Sequence, residues 1–198
     1  MRDCDRVRLT ALNGGDGGRI ETSGHYLNVD GASGSAGANY GQSGLWLFDP
    51  YNVTITSADA NGGFAPDANN LTDIWTPSAS GSSILNTTIV SKLNAGTHVA
   101  ITTTGAGTDA GHITVNAALD ANNTASGQLS LVADGDIQLN ANIHTGASVL
   151  LKAAGHITQA ASTSVNTNGG NVTYWADSDS NGAGGISLLA GTSASPTA

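Results

Sequence analysis

The phrase Gly-x-Ile returns along this chain, and its return limits what the chain can fold into. It stands at Gly111-His112-Ile113, Gly135-Asp136-Ile137, Gly155-His156-Ile157 and Gly184-Gly185-Ile186, so successive starts lie 24, 20 and 29 residues apart. An alternating stretch comes before the later three: Leu129-x-Leu131-x-Ala133, Val149-x-Leu151-x-Ala153 and Val172-x-Tyr174-x-Ala176. Apolar and polar residues alternating over about five positions describe a strand with one buried face. A unit of this length that tolerates insertions fits one coil of a solenoid, where extra residues project as loops without breaking the stack. The expected architecture is therefore all-β, a right-handed parallel β-helix (β-solenoid) with coils about 4.8 Å apart. Ile113, Ile137, Ile157 and Ile186 are expected to form one inward row. Leu131, Leu151 and Tyr174 should form another. Seven to nine coils would make a rod on the order of 40 Å long. An antiparallel sandwich also uses short strands and Gly turns, but it does not need the same phrase at every return.

Composition agrees with many short strands and narrows the partners. Charged residues are 11% of the chain, and 27 of its 198 residues are glycine, about twice the usual share of roughly 7%. The net charge is −9. All four arginines (Arg2, Arg6, Arg8, Arg19) precede residue 20, and only Lys92 and Lys152 are basic after them. Such a surface repels phosphate backbones and anionic lipid, so nucleic acid and membrane insertion are not expected. The single cysteine, Cys4, allows neither an internal disulfide nor a cysteine metal site. No apolar run approaches the ~18 residues of a membrane span. Met1 to Arg8 is charged with no apolar stretch behind it, unlike a signal peptide. The chain is accordingly read as starting inside a longer protein. Helices look scarce. Ser83 to Leu93 has some helical spacing, with Asp73 or Ser78 as candidate caps.

Two phrases add a resemblance. Gly17-Gly18-Arg19-Ile20-Glu21-Thr22-Ser23-Gly24 is followed by Gly44-Leu45-Trp46-Leu47-Phe48-Asp49-Pro50-Tyr51-Asn52-Val53-Thr54-Ile55. Further on comes Val172-Thr173-Tyr174-Trp175-Ala176-Asp177-Ser178-Asp179-Ser180-Asn181-Gly182. With the coils between them, these resemble an interior passenger segment of filamentous haemagglutinin-type secreted adhesins, over roughly residues 14–191. The resemblance implies a bacterial surface or secreted protein, exported by an outer-membrane transporter and binding host or environmental glycans or proteins. The secretion domain of that family is absent, and residues 1–13 match nothing in the pattern. Residues 192–198 are expected to be a flexible tail.

Three sets of residues stand out chemically. Trp46 and Phe48, or Leu45 and Leu47, are expected to plug the interior or cap a loop, with an exposed sugar-stacking platform as the alternative. Asp177-x-Asp179-x-Asn181-Gly182 has the alternate-position oxygens of a calcium loop, but Leu188 falls where a bidentate Glu belongs. The choice is between a looser calcium site and an Asx-rich turn. His112, Asp136 and His156 hold the same place in three coils. They should form an outward ladder, which is either surface decoration or a metal or proton site. Asn116, Asn140, Asn166 and Asn168 are read as turn residues.

For function, the repeat and the lack of G-x-S-x-G, HExxH or P-loop signatures favour a non-enzymatic adhesion segment. End-to-end self-association is expected, since open strand edges invite pairing. The runner-up is a hydrolase or lyase on a β-helix, possible with calcium. Asp134 with Asp136, or Asp177 with Asp179, are its nominal carboxylate pairs. Ice binding by a Thr face is a third class, disfavoured because Thr54, Thr56 and Thr102 to Thr104 do not repeat in register.

Overall fold

The chain was analysed as a computed structural model, which describes residues 7–8, 15–23, 34–36, 41–49, 52–58, 82–103, 110–121 and 127–197. The strands are short, and those between residues 98 and 168 keep alternate residues inside. They begin with β1 (Val7–Arg8), β2 (Arg19–Ser23), β3 (Gly34–Ser35), β4 (Leu45–Asp49), β5 (Val53–Thr56) and β6 (Ser82–Leu85). One helix follows, α1 (Asn86–Asn94), and then β7 (His98–Thr102), β8 (Ile113–Val115) and β9 (Leu119–Ala121). The next coil is β10 (Leu129–Ala133), β11 (Ile137–Leu139) and β12 (Ile143–Thr145). After it come β13 (Val149–Ala153), β14 (Ile157–Gln159) and β15 (Ser164–Asn168). The final coil is β16 (Val172–Trp175), β17 (Ile186–Leu188) and β18 (Ser193–Thr197).

Every third strand from β7 onward stacks on the one before it, always in parallel. The first face has the order β2-β4-β7-β10-β13-β16. The second runs β6-β5-β8-β11-β14-β17, and the third β9-β12-β15-β18. This is the expected parallel β-helix, with three strands per coil. The longest faces hold six strands among the described residues.

Register makes the inward rows. Ile113, Ile137 and Ile157 are directly opposite one another and fully buried. Ile186 continues their register but is 49% exposed, because β17 is the last strand of its face. Val99, Leu129 and Val149 form a second buried row, and Ile101, Leu131, Leu151 and Tyr174 a third. Like side chains stacked at strand spacing pack without a mixed core, so few aromatics are needed.

Outward rows are polar on the second and third faces, while the first face also turns Val132, Leu150 and Trp175 outward. On the second face Thr54, Thr114, Gln138, Thr158 and Ser187 share one column. Three threonines are therefore in register after all, with Gln138 interrupting them. The sequence reading missed this because the loops between coils differ in length.

Helix α1 closes the third face. It packs chiefly against β9, the first strand of that face, and buries Ile89 and Leu93 completely. Its N-cap is Leu85, which makes no side-chain capping bond. The expected caps, Asp73 and Ser78, lie outside the described residues. Asn86 donates from its amide to the Ala118 carbonyl instead, at 2.8 Å. Ser193–Thr197, expected as a tail, form β18 in five-residue register with β15. Their alternation was hidden by a Ser- and Thr-rich composition with no large apolar residue.

Candidate functional site

The segments that carry the resemblance serve the core. Gly17–Ser23, Gly44–Asp49 and Asn52–Ile55 supply β2, β4 and β5. A Cβ on Gly17 would fall 1.9 Å from the Ala36 carbonyl oxygen and 2.2 Å from the Gly44 nitrogen, so the phrase's glycines allow a close backbone approach. Trp46 is 3% exposed, in register with Val99. Its indole N–H donates to Thr22 Oγ1 at 3.2 Å. The Lys92 ammonium sits 4.6 Å from the centre of its ring. Burial holds that ammonium below its ordinary pKa. Trp46 is an interior plug, as expected, and not a sugar platform.

His112, Asp136 and His156 do share one outward column, each just ahead of its strand. Two of them are joined to the next coil through their side chains. Asp136 donates its backbone N–H to His112 Nδ1 at 2.8 Å, and His156 donates its own to Asp136 Oδ1 at 2.7 Å. Asn52, one coil earlier in the column, accepts the His112 N–H on Oδ1 at 2.6 Å. The other faces follow the same rule. Gln128 N–H goes to His98 Nδ1 at 2.8 Å, Asn171 N–H to Ser148 Oγ at 2.9 Å, and Ser164 N–H to Asn142 Oδ1 at 2.9 Å. At these corners the residue at or just ahead of a strand turns its N–H toward the preceding coil. There a side chain stands in for a carbonyl. The bonds to Asn52 and His112 are part-buried, where an N–H left without a partner costs about 1–3 kcal/mol, and the other four are exposed.

Sequence reading found the His112 column but missed Asn52, His98, Asn142 and Ser148. The available signal was a polar residue directly before each β-alternating stretch. The carboxylate of Asp136 also lies 3.6 Å from His112 Nδ1, and both side chains are about half exposed. Beside them is a shallow depression of about 220 Å³ lined by His112, Ile113, Thr114, Asp136 and Gln138. On the third face His144 Nδ1 lies 3.8 Å from Asp120 Oδ1. Asn140 donates to Asn116 Oδ1 at 2.8 Å, a stacked pair of the kind expected near the turns.

The Asp177 loop is closed by its own N–H groups. Asp177 Oδ1 accepts from Gly182 N at 3.0 Å, and Asp179 Oδ2 accepts from the Asn181 amide at 2.7 Å. Asn181 Oδ1 accepts from Ala183 N at 2.7 Å. A calcium ion needs those oxygens to converge on one point. Here Asn181 turns its amide N–H₂ toward Asp179, and its oxygen is held by backbone. In this geometry the loop is an Asx-rich turn held by its own N–H groups. Among the described residues no three His, Cys, Asp or Glu side chains gather to hold a metal ion.

Tyr174 and Gln159 make a polar contact inside the last coils. The phenol donates to Gln159 Oε1 at 2.6 Å. Gln159 is fully buried, and its amide donates to the Thr163 and Ser193 carbonyls at 2.9 and 3.3 Å. Burial pushes the Tyr174 phenol up to about 12. The neutral phenol is thus favoured in the fold. Its contribution to stability is fully present below the ordinary value of 10.0 and is lost as pH rises toward about 12. An alkaline absorbance titration should show a late tyrosine that disappears in Tyr174→Phe. A titration of the native chain without that late step would contradict the burial.

Fold and corners together define a parallel β-solenoid. No protein-family model matches the chain, and no curated protein matches it. No helix among the described residues is long and apolar enough to cross a membrane.

Proposed function

We propose that the chain is a non-enzymatic structural and adhesive segment of a large bacterial protein, secreted or held at the cell surface, of the filamentous haemagglutinin type. The observation that carries this reading is the use made of the ladder. The Nδ1 of His112 and the Oδ1 of Asp136, the side chains with the best claim to chemistry, already accept backbone N–H groups from the next coil. A general acid or base needs a free atom aimed at substrate. The phrases at Gly17–Ser23 and Gly44–Ile55 support the family reading, and the polar outward columns offer a long face for weak, distributed contacts with surface glycans or proteins.

The test pairs binding with turnover. The purified chain is applied to immobilised host-surface glycans and proteins, and in parallel to polysaccharide and ester substrates, with and without calcium. Saturable binding without turnover is expected, and Asp136→Asn should leave it intact because Asn52 shows that an amide oxygen serves the same corner. Turnover abolished by a single change at Asp134, Asp136, Asp177 or Asp179 would replace this reading with that of a carbohydrate-active enzyme.

A further inference from the structure

Among the side-chain acceptors that take a backbone N–H from the next coil, two are histidine ring nitrogens. We propose that His98 and His112 form an acid-sensitive lock between coils. Each holds the next coil through Nδ1, at 2.8 Å from the N–H of Gln128 and of Asp136 respectively. An Nδ1 that accepts must carry no hydrogen, so both rings are neutral in the locked state with the proton on Nε2. Imidazolium has donors only. Protonation therefore removes the acceptor and sets two N–H donors face to face. Asn, Asp and Ser acceptors do the same work at Asn52, Asn142, Asp136 and Ser148 without that liability.

The surroundings differ at the two sites. His112 faces Asn52 on one side and Asp136 on the other, with Asp134 and His156 in the adjoining coils. Asp136 Oδ2 lies 3.6 Å from its Nδ1. His98 lies between Leu45 and Gln128 in its column, both uncharged. Charged residues on the elements around it are Asp49 at the far end of β4, Lys92 on α1, and Arg19 and Glu21 two coils away on β2. No acid stands beside His98 in its column to receive its proton. Burial also holds His98 below its ordinary pKa, in keeping with a ring kept neutral by the fold. For a base so depressed, stability is full above the ordinary value of 6.5 and declines as pH falls below it.

Amide hydrogen exchange on the wild-type chain tests this with internal controls. Protection factors are compared at about pH 7.5 and about pH 5. The Gln128 and Asp136 amides should lose about fivefold or more in protection relative to Ser164 and Asn171, whose acceptors do not titrate in that range. Equal loss at all four would overturn the proposal. A second measurement follows unfolding temperature in His98→Asn/His112→Asn. Asparagine places Oδ1 where histidine places Nδ1, so the bond survives and the proton does not bind. The double variant should keep the neutral-pH stability and lose most of the acid-induced drop. A drop as large as that of the wild type would also overturn it.

Discussion

Replacing Ile137 with alanine is expected to destabilise the chain by about 3–4 kcal/mol, the usual result of emptying a large buried site that cannot collapse. Ile137 is fully buried, with Ile113 above and Ile157 below it in strict register. The stack fixes both neighbours, so neither can move in to fill the space. Position along the rod should govern the magnitude. Ile186→Ala, in the same row at the last coil, should cost about 1 kcal/mol, because that side chain already meets solvent over half its surface. Gln138→Ala, on the same strand as Ile137 and facing out, should change stability by no more than about 0.5 kcal/mol. Chemical denaturation of the three variants checks the ordering. Equal losses at Ile137 and Gln138 would mean the strand does not have one buried face.

Gly127→Ala should be nearly as damaging, for a different reason. Gly127 opens the coil of β10, β11 and β12, and its N–H bonds the Leu93 carbonyl at the helix end at 2.8 Å. A Cβ there would lie 1.9 Å from the Thr97 carbonyl oxygen and 2.2 Å from its carbon. Both atoms are backbone and cannot swing aside, so the two coils must separate. The expected loss is on the order of 3 kcal/mol, with the helix cap loosened along with the first face. Gly185→Ala is the control. Its Cβ would meet only His156 Nδ1 at 3.7 Å, an ordinary contact, and the change should stay within about 0.5 kcal/mol. Thermal unfolding of both variants would reveal the difference.

The coil repeat was legible because its physics is local. Alternation at Leu129–Ala133 and Val149–Ala153 requires one buried face, and the recurring Gly-x-Ile aligns one coil with the next. Trp46 as an interior plug followed from its place beside other apolar residues on a short strand. Features that depend on what lies one coil away were harder to read. His112 and Asp136 are 24 residues apart, and only the stack shows that one accepts the other's backbone N–H. His98 had no visible partner in sequence, since Gln128 lies across a loop of different length. Ser193–Thr197 carry no large apolar residue, so their pairing with β15 left no trace in hydropathy. The Asp177 loop has the spacing of a cation site. Whether its oxygens turn outward to backbone or inward to an ion is a matter of rotamers, which spacing does not encode.

The account rests on coils stacked in parallel with Thr114, Gln138 and Thr158 in successive positions of one outward column. Disulfide trapping tests that directly, with Cys4→Ser removing the native thiol. Neighbours one coil apart, about 4.8 Å, lie within the range a disulfide bridges, and residues two coils apart do not. Thr114→Cys/Gln138→Cys should therefore close on mild oxidation of the folded chain, while Thr114→Cys/Thr158→Cys should stay reduced. Closure of the second pair without the first, or of neither, would contradict the parallel stack.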